Sequence, residues 1–105
     1  MTHSAEYWSR VHEEHVVLDI GDDVGAAVLY TPPEYHGREI EVSPAGDDAR
    51  RTHTAVLERR VDGRTLFVAV FPELAAGDWR IWGDDPDLPA RVTVVAGAVT
   101  EVDWR

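Results

Sequence analysis

The stretch from Arg64 to Gly83 is the most hydrophobic part of the chain and restricts the folds open to it. Its first half alternates between two apolar faces, one formed by Leu66, Val68 and Val70 and the other by Phe67, Ala69 and Phe71. A strand that is apolar on both faces is typical of the interior of a sheet covered on both sides. We therefore predict a β-protein with a central strand here.

The second half of the stretch predicts a hairpin. Proline donates no ladder hydrogen bond, so we expect Pro72 to end the strand and residues 75–77 to turn the chain. Residues 78–82 then form a return strand, on which Trp79 and Ile81 share one face and Arg80 and Trp82 share the other. One pair belongs to the core, and the other is covered by the helix or left for a partner.

Alternation with a period of two continues on both sides of this hairpin. The pattern predicts further strands at residues 16–20, 24–30, 38–43, 52–61, 91–96 and 98–104. In the second of these, the inward face is predicted to be Val24, Ala26, Val28 and Tyr30. Asp62-Gly63 is a strong signal for a two-residue hairpin turn. About seven to eight short strands at this spacing predict an all-β fold, an antiparallel sandwich or small barrel.

The N-terminal residues have a different periodicity. Ser4 can cap a short helix on which Trp8, Val11 and His15 share one face. The chain of 105 residues is long enough for one domain with one core. We therefore predict a single domain over residues 1–105, with a helical arm at 1–15 and a β-sandwich at 16–105. The arm is expected to pack on a sheet or to dock on a second subunit.

Charge and composition exclude several classes of function. The chain has 20 acidic and 10 basic residues, a net charge of −10, which argues against nucleic acid and anionic membranes as partners and favours a cation or a basic protein surface. It has no cysteine, so disulfides and thiolate chemistry are excluded. Neither a signal-peptide pattern nor an apolar run of roughly 20 residues is found, and we expect a cytoplasmic protein.

One part of the sequence resembles a known kind of module. The run Phe71 to Trp82 is similar to the "L-P-A-G-x-Y/W" turn of prealbumin-like sandwiches, such as transthyretin-like and carboxypeptidase-regulatory-like domains, and residues 92–104 resemble their ending. The whole chain also resembles a family of small uncharacterised actinobacterial proteins. The resemblance implies a prealbumin-like or immunoglobulin-like β-sandwich that acts as a binding or structural module. The N-terminal helix departs from those modules.

Histidines suggest an alternative function. His12-Glu13-Glu14-His15 has its histidines at i and i+3, whereas the zinc-protease helix needs them at i and i+4. Alternating strand direction places His12, His15 and His36 at one end of the sandwich, with Asp84 or Asp85 as a further ligand. A divalent metal site in a metal-binding protein or small metalloenzyme is one interpretation; uncommitted surface histidines are the other.

Hydrolytic chemistry has less support. The phospholipase label that some of the resembling proteins carry would require a nucleophile, a base and an orienting group. The sequence contains no G-x-S-x-G elbow, and its serines are only Ser4, Ser9 and Ser43. A hydrolase is therefore the third and weakest hypothesis, and we assign no catalytic residue.

Aromatic and arginine residues support the main hypothesis. Tryptophan, tyrosine and arginine are the residue types enriched at protein interfaces. We predict a surface patch that consists of Tyr35, Arg80, Trp82 and Trp104. The sequence thus predicts a non-catalytic protein-interaction or accessory module without a cofactor, which binds a partner protein or self-associates.

Overall fold

A computed structural model describes residues 23–105 of the chain, and this part is built from strands. The strands are β1 (Val24–Thr31), β2 (Glu39–Pro44), β3 (Thr52–Ala55), β4 (Leu57–Val61), β5 (Arg64–Ala75), β6 (Gly77–Trp82), β7 (Arg91–Val94) and β8 (Val99–Asp103). A 3-10 turn, Pro33–Tyr35, follows β1. The helical arm and the strand predicted at 16–20 lie outside the described residues.

The strands form two four-stranded sheets. Sheet A has the order β4-β5-β1-β8 and sheet B has the order β3-β2-β6-β7. All neighbours are antiparallel except β1 and β8, which run parallel. The predicted all-β sandwich is thereby confirmed. Between residues 23 and 105 there is no helix long and apolar enough to span a bilayer.

The main core lies between the two sheets. Sheet A contributes Leu29 and Phe71, and sheet B contributes Val42, Trp79 and Ile81, all less than a tenth exposed. Trp79 also satisfies its indole N–H, which donates to the Ala75 carbonyl at 2.8 Å. Trp79 and Ile81 are therefore the core pair of β6, and Arg80 and Trp82 point away from the core.

The facing predicted for β1 is wrong. Every residue from Gly25 to Thr31 is buried, so apolar alternation does not distinguish the two faces of this strand. Ala27 and Leu29 point into the core between the sheets, whereas Val28 and Tyr30 belong to a second cluster with Val68 on the other face of sheet A. β5 likewise has apolar residues on both faces, as its alternation predicts.

The end predicted for β5 is also wrong. The strand continues past Pro72 to Ala75, because the pairing of β1 with β5 shifts by one residue between Ala27, which pairs with Phe71, and Gly25, which pairs with Leu74. Such a bulge leaves one extra residue out of the ladder, and bulges are one of the few places where a sheet accepts proline.

The segment predicted as one strand at 52–61 is divided between the sheets. β3 lies at the edge of sheet B and β4 at the edge of sheet A, and Val56 connects them. Val56 is 0% exposed, and its N–H donates to the Arg38 carbonyl at 2.9 Å. The chain therefore turns a corner of the sandwich around one buried residue. The predicted hairpin that follows is confirmed, with positive φ at both Asp62 and Gly63.

Candidate functional site

The outer face of sheet B carries a stack of three side chains centred on Trp82. Trp82 and Arg80 lie on β6, and Arg51 immediately precedes β3. The guanidinium carbons of Arg51 and Arg80 each lie 3.6 Å from the centroid of the Trp82 ring. We call this group the arginine–tryptophan stack. It contains two of the residues predicted from the sequence, Arg80 and Trp82.

The two guanidinium groups cover opposite faces of the indole. Non-bonded carbon atoms approach to about 3.5–4.0 Å. Two guanidinium carbons at the same short distance above one face would nearly coincide, so one face cannot hold both. The flat surfaces of Trp82 are therefore occupied by arginine, and its edge remains available to other groups.

Hydrogen bonds fix the orientation of the stack. The indole N–H of Trp82 donates to the Ser43 hydroxyl at 3.0 Å, and Ser43 is 0% exposed. Arg51 Nη1 lies 3.0 Å from Glu41 Oε1, and Arg80 Nη1 lies 3.3 Å from Asp48 Oδ2. Each charge on the stack thus has an opposite charge within hydrogen-bond reach. The stack is a pre-positioned surface, since its side chains are held before anything binds.

Sequence reasoning does not find Arg51. This residue lies in the polar loop before β3, and only the pairing of β3 with β2, which places Thr52 opposite Val42, brings it beside Ser43 and Trp82. Alternation within a strand predicts which residues share a face but does not give the register between strands. The sequence does contain one signal that could have pointed to Arg51: in an acidic chain, the two arginines Arg50 and Arg51 stand directly before a predicted strand.

A groove of about 300 Å³ lies beside the stack. It runs between the 3-10 turn, the start of β2 and the end of β6. Tyr35 stands at its side with the Arg38 guanidinium carbon 4.6 Å from its ring centroid. The charged lining residues are Arg38, Glu39, Glu41, Arg51 and Asp84. The groove therefore offers aromatic edges and both signs of charge, with three carboxylates against two guanidinium groups.

The patch predicted from the sequence is brought together only in part. Tyr35 and Trp82 both line the groove, and Arg80 stacks on Trp82. Trp104 also lines it but is not a surface residue, because it is 4% exposed and belongs to the core. Its indole N–H donates to the Pro89 carbonyl at 2.9 Å, and its ring meets the Tyr35 ring edge-on at 5.8 Å. Trp104 therefore belongs to the core beneath the patch and contacts it through Tyr35.

The histidines of the described part are separated. His36 is exposed and its ring lies 5.4 Å from the Phe67 ring, while His53 Nε2 lies 3.5 Å from Glu39 Oε1 on sheet B. Within residues 23–105 no group of three histidine, aspartate or glutamate side chains is placed to hold a metal ion. His12 and His15 lie outside the described residues, so the predicted metal site with His36 stays a prediction.

A smaller recess of about 230 Å³ lies on sheet A, near the end of β8. Tyr30 donates to Glu101 Oε2 at 2.9 Å there, and the Arg105 guanidinium carbon lies 4.8 Å from the Tyr30 ring centroid. Arg105 Nε also donates to Asp103 Oδ1 at 3.0 Å. These side-chain hydrogen bonds from Arg105 are the main reason that the pKa of Asp103 is lowered from its ordinary value.

Replacing Arg105 with alanine is expected to raise the pKa of Asp103 toward its ordinary value. The rise is partial, because the backbone N–H of residue 105 still donates to Asp103 Oδ1. A carboxylate with a lowered pKa stabilises the fold above its unfolded-state pKa and loses that contribution as the pH falls through the folded pKa. The side chain is 58% exposed, so the stability effect is small and the pKa itself is the quantity to measure. NMR titration of the carboxyl carbon tests this, and equal midpoints in both proteins would contradict it.

Comparison of the chain with protein-family models, curated proteins and solved structures finds no match. The resemblance to prealbumin-like modules and to the actinobacterial family therefore stays a prediction.

Proposed function

We propose that the protein is a non-catalytic interaction module that binds a partner protein through the outer face of sheet B. The observation that carries the proposal is the arginine–tryptophan stack, in which Arg51 and Arg80 enclose Trp82. Tryptophan and arginine are the residues that most often dominate binding energy at protein interfaces. Side chains already held in place lose less conformational entropy on binding, which favours affinity.

The groove beside the stack indicates the chemistry of the partner. Glu39, Glu41 and Asp84 outnumber Arg38 and Arg51 along its walls. The whole chain carries a net charge of −10, so its field attracts a basic surface and repels a second copy of itself. We therefore assign the groove to a partner with basic side chains, and self-association is the alternative that light scattering would reveal.

Trp82→Ala is expected to lower partner binding by about 30-fold, since hot-spot residues contribute 2 kcal/mol or more. The 105-residue chain is used as bait in its native host, and the captured partner is identified and then purified for affinity measurement. The matched control is Arg59→Ala, an exposed residue on β4 in the other sheet. Circular dichroism shows whether both variants keep the sandwich. Equal affinities for the wild type, Trp82→Ala and Arg59→Ala would refute the proposal.

A further inference from the structure

The four outer strands of the two sheets differ in how well their edges are protected. Exposed edges invite pairing with another chain, and proteins prevent this with charges, proline or covering elements. β4 carries Glu58, Arg59 and Arg60, and β8 carries Glu101 and Asp103. On β7 the Thr93 carbonyl already accepts a hydrogen bond from the Thr100 hydroxyl at 3.1 Å. β3, with the sequence Thr-His-Thr-Ala, has no carboxylate, lysine, arginine or proline.

The hydrogen-bonding pattern shows which backbone groups of β3 face outward. Just after β2, the Ala45 N–H donates to the Asp78 carbonyl at 2.9 Å. In an antiparallel pair every second residue bonds to the same neighbour, so the backbone groups of Ser43 and Glu41 also face β6. The intervening residues Ile40 and Val42 then bond to their partners on β3, Thr54 and Thr52. The backbone groups of His53 and Ala55 consequently point away from sheet B. Within residues 23–105 no strand pairs with this side of β3.

The side chains around this edge indicate what an added strand would contact. Glu39, 62% exposed at its side chain, and His53 lie together on the outer face of sheet B. At the far end of β3, Leu57 follows the corner at Val56 and is 47% exposed. Glu39 lies on β2, one strand in from the edge, and pairs with Ala55, so only the short side chain of Ala55 separates its carboxylate from the position of an added strand. The edge also has an exposed apolar side chain, Leu57, at one end.

We propose that the outer side of β3 receives an extended segment of the partner protein, which adds a fifth strand to sheet B and presents alternating basic residues toward Glu39. The proposal rests on the interaction function proposed above and specifies how that partner binds. Backbone hydrogen bonds to His53 and Ala55 give the pairing, and side chains at alternate positions give its selectivity. The net charge of −10 favours a basic segment over a second copy of this chain.

A peptide titration on the whole 105-residue chain tests the inference. The probe is a capped seven-residue peptide in which arginine alternates with valine; the control peptide has equal charge but has proline in place of valine, so that it cannot pair as a strand. We expect the alternating peptide to shift the amide NMR signals of His53 and Ala55 and to slow their hydrogen exchange. Shifts spread over the acidic surface, or equal effects of both peptides, would overturn the proposal.

A pair of variants separates this edge from the stack. Ala55→Pro removes the outward N–H and keeps the bonds to β2, whereas Ala55→Val keeps both. Ala55→Pro is expected to lower the affinity for the alternating peptide and for the captured partner at least tenfold. Ala55→Val is expected to leave both affinities unchanged. Partner binding that survives Ala55→Pro but is lost in Trp82→Ala would overturn the edge inference alone; binding that survives both would overturn both proposals. If Ala55→Pro fails to fold, the exchange rates of the wild-type His53 and Ala55 amides decide the question.

Discussion

Trp104→Ala is expected to lower the free energy of unfolding by about 3–5 kcal/mol, the range for truncating a buried aromatic residue. Trp104 is 4% exposed. Its backbone N–H donates to the Tyr30 carbonyl at 2.7 Å and its indole N–H to the Pro89 carbonyl at 2.9 Å, so it joins the end of the chain to β1 and to the loop before β7. Its removal leaves a cavity beneath Tyr35 as well as an unpaired carbonyl.

Urea denaturation followed by circular dichroism measures this loss. The matched control is Trp82→Ala, which removes the same side chain from the outer face of sheet B, where it is only partly buried. Its loss is expected to be smaller, about 1–2 kcal/mol, because each of the two stacked, exposed arginines contributes about 0.5–1 kcal/mol. Equal losses in the free energy of unfolding for Trp104→Ala and Trp82→Ala would show that Trp104 is not a core residue.

Gly25→Ala is expected to cost about 3 kcal/mol, the upper part of the usual range for overpacking. Gly25 lies on β1, where a Cβ atom would overlap the Val95 carbonyl oxygen and lie 3.0 Å from the Ala98 carbonyl oxygen. Both are backbone atoms of the turn between β7 and β8, so rotation of a side chain cannot relieve the overlap. Either the turn moves or β1 moves.

The control for Gly25 is Gly46→Ala. Gly46 has a φ of +87°, and a Cβ atom added there would meet no atom within 4 Å, so alanine is strained at this position but does not collide. A left-handed conformation costs a residue with a Cβ roughly 1–2 kcal/mol. Urea denaturation should therefore rank Gly25→Ala as the more damaging, and amide NMR signals of residues 95–98 should shift in that variant only. A Gly25→Ala protein as stable as the wild type would show that β1 does not approach this turn.

Local pattern accounts for much of the fold. The alternation in β5 and the Asp62-Gly63 turn are visible in the sequence because each depends on neighbouring residues. Two features differ from the prediction because they depend on distant residues. Pro72 stays inside β5 because β5 has a bulge at this point, opposite β1. β1 is apolar on both faces, so its pattern cannot show which face meets sheet B.

The candidate site is predictable to a similar extent. Arg80 and Trp82 share a face of one strand, which alternation alone predicts. Arg51 reaches Trp82 only through the register between β2 and β3, and its loop has no periodicity from which to infer that position. Residue type alone places Trp104 in the predicted surface patch. In the structure it points to the same side as Val102, which packs against the core, and it is 4% exposed.

Hydrogen–deuterium exchange of the complex with the captured partner tests most directly whether the outer face of sheet B is the binding surface. Binding is expected to slow exchange in β2, β3 and the end of β6, around Ser43, His53 and Trp82. The two outer strands of sheet A, β4 and β8, should exchange as they do in the free protein. Protection confined to sheet A, with β2, β3 and β6 unchanged, would contradict the assignment of Trp82 and its enclosing arginines to partner recognition.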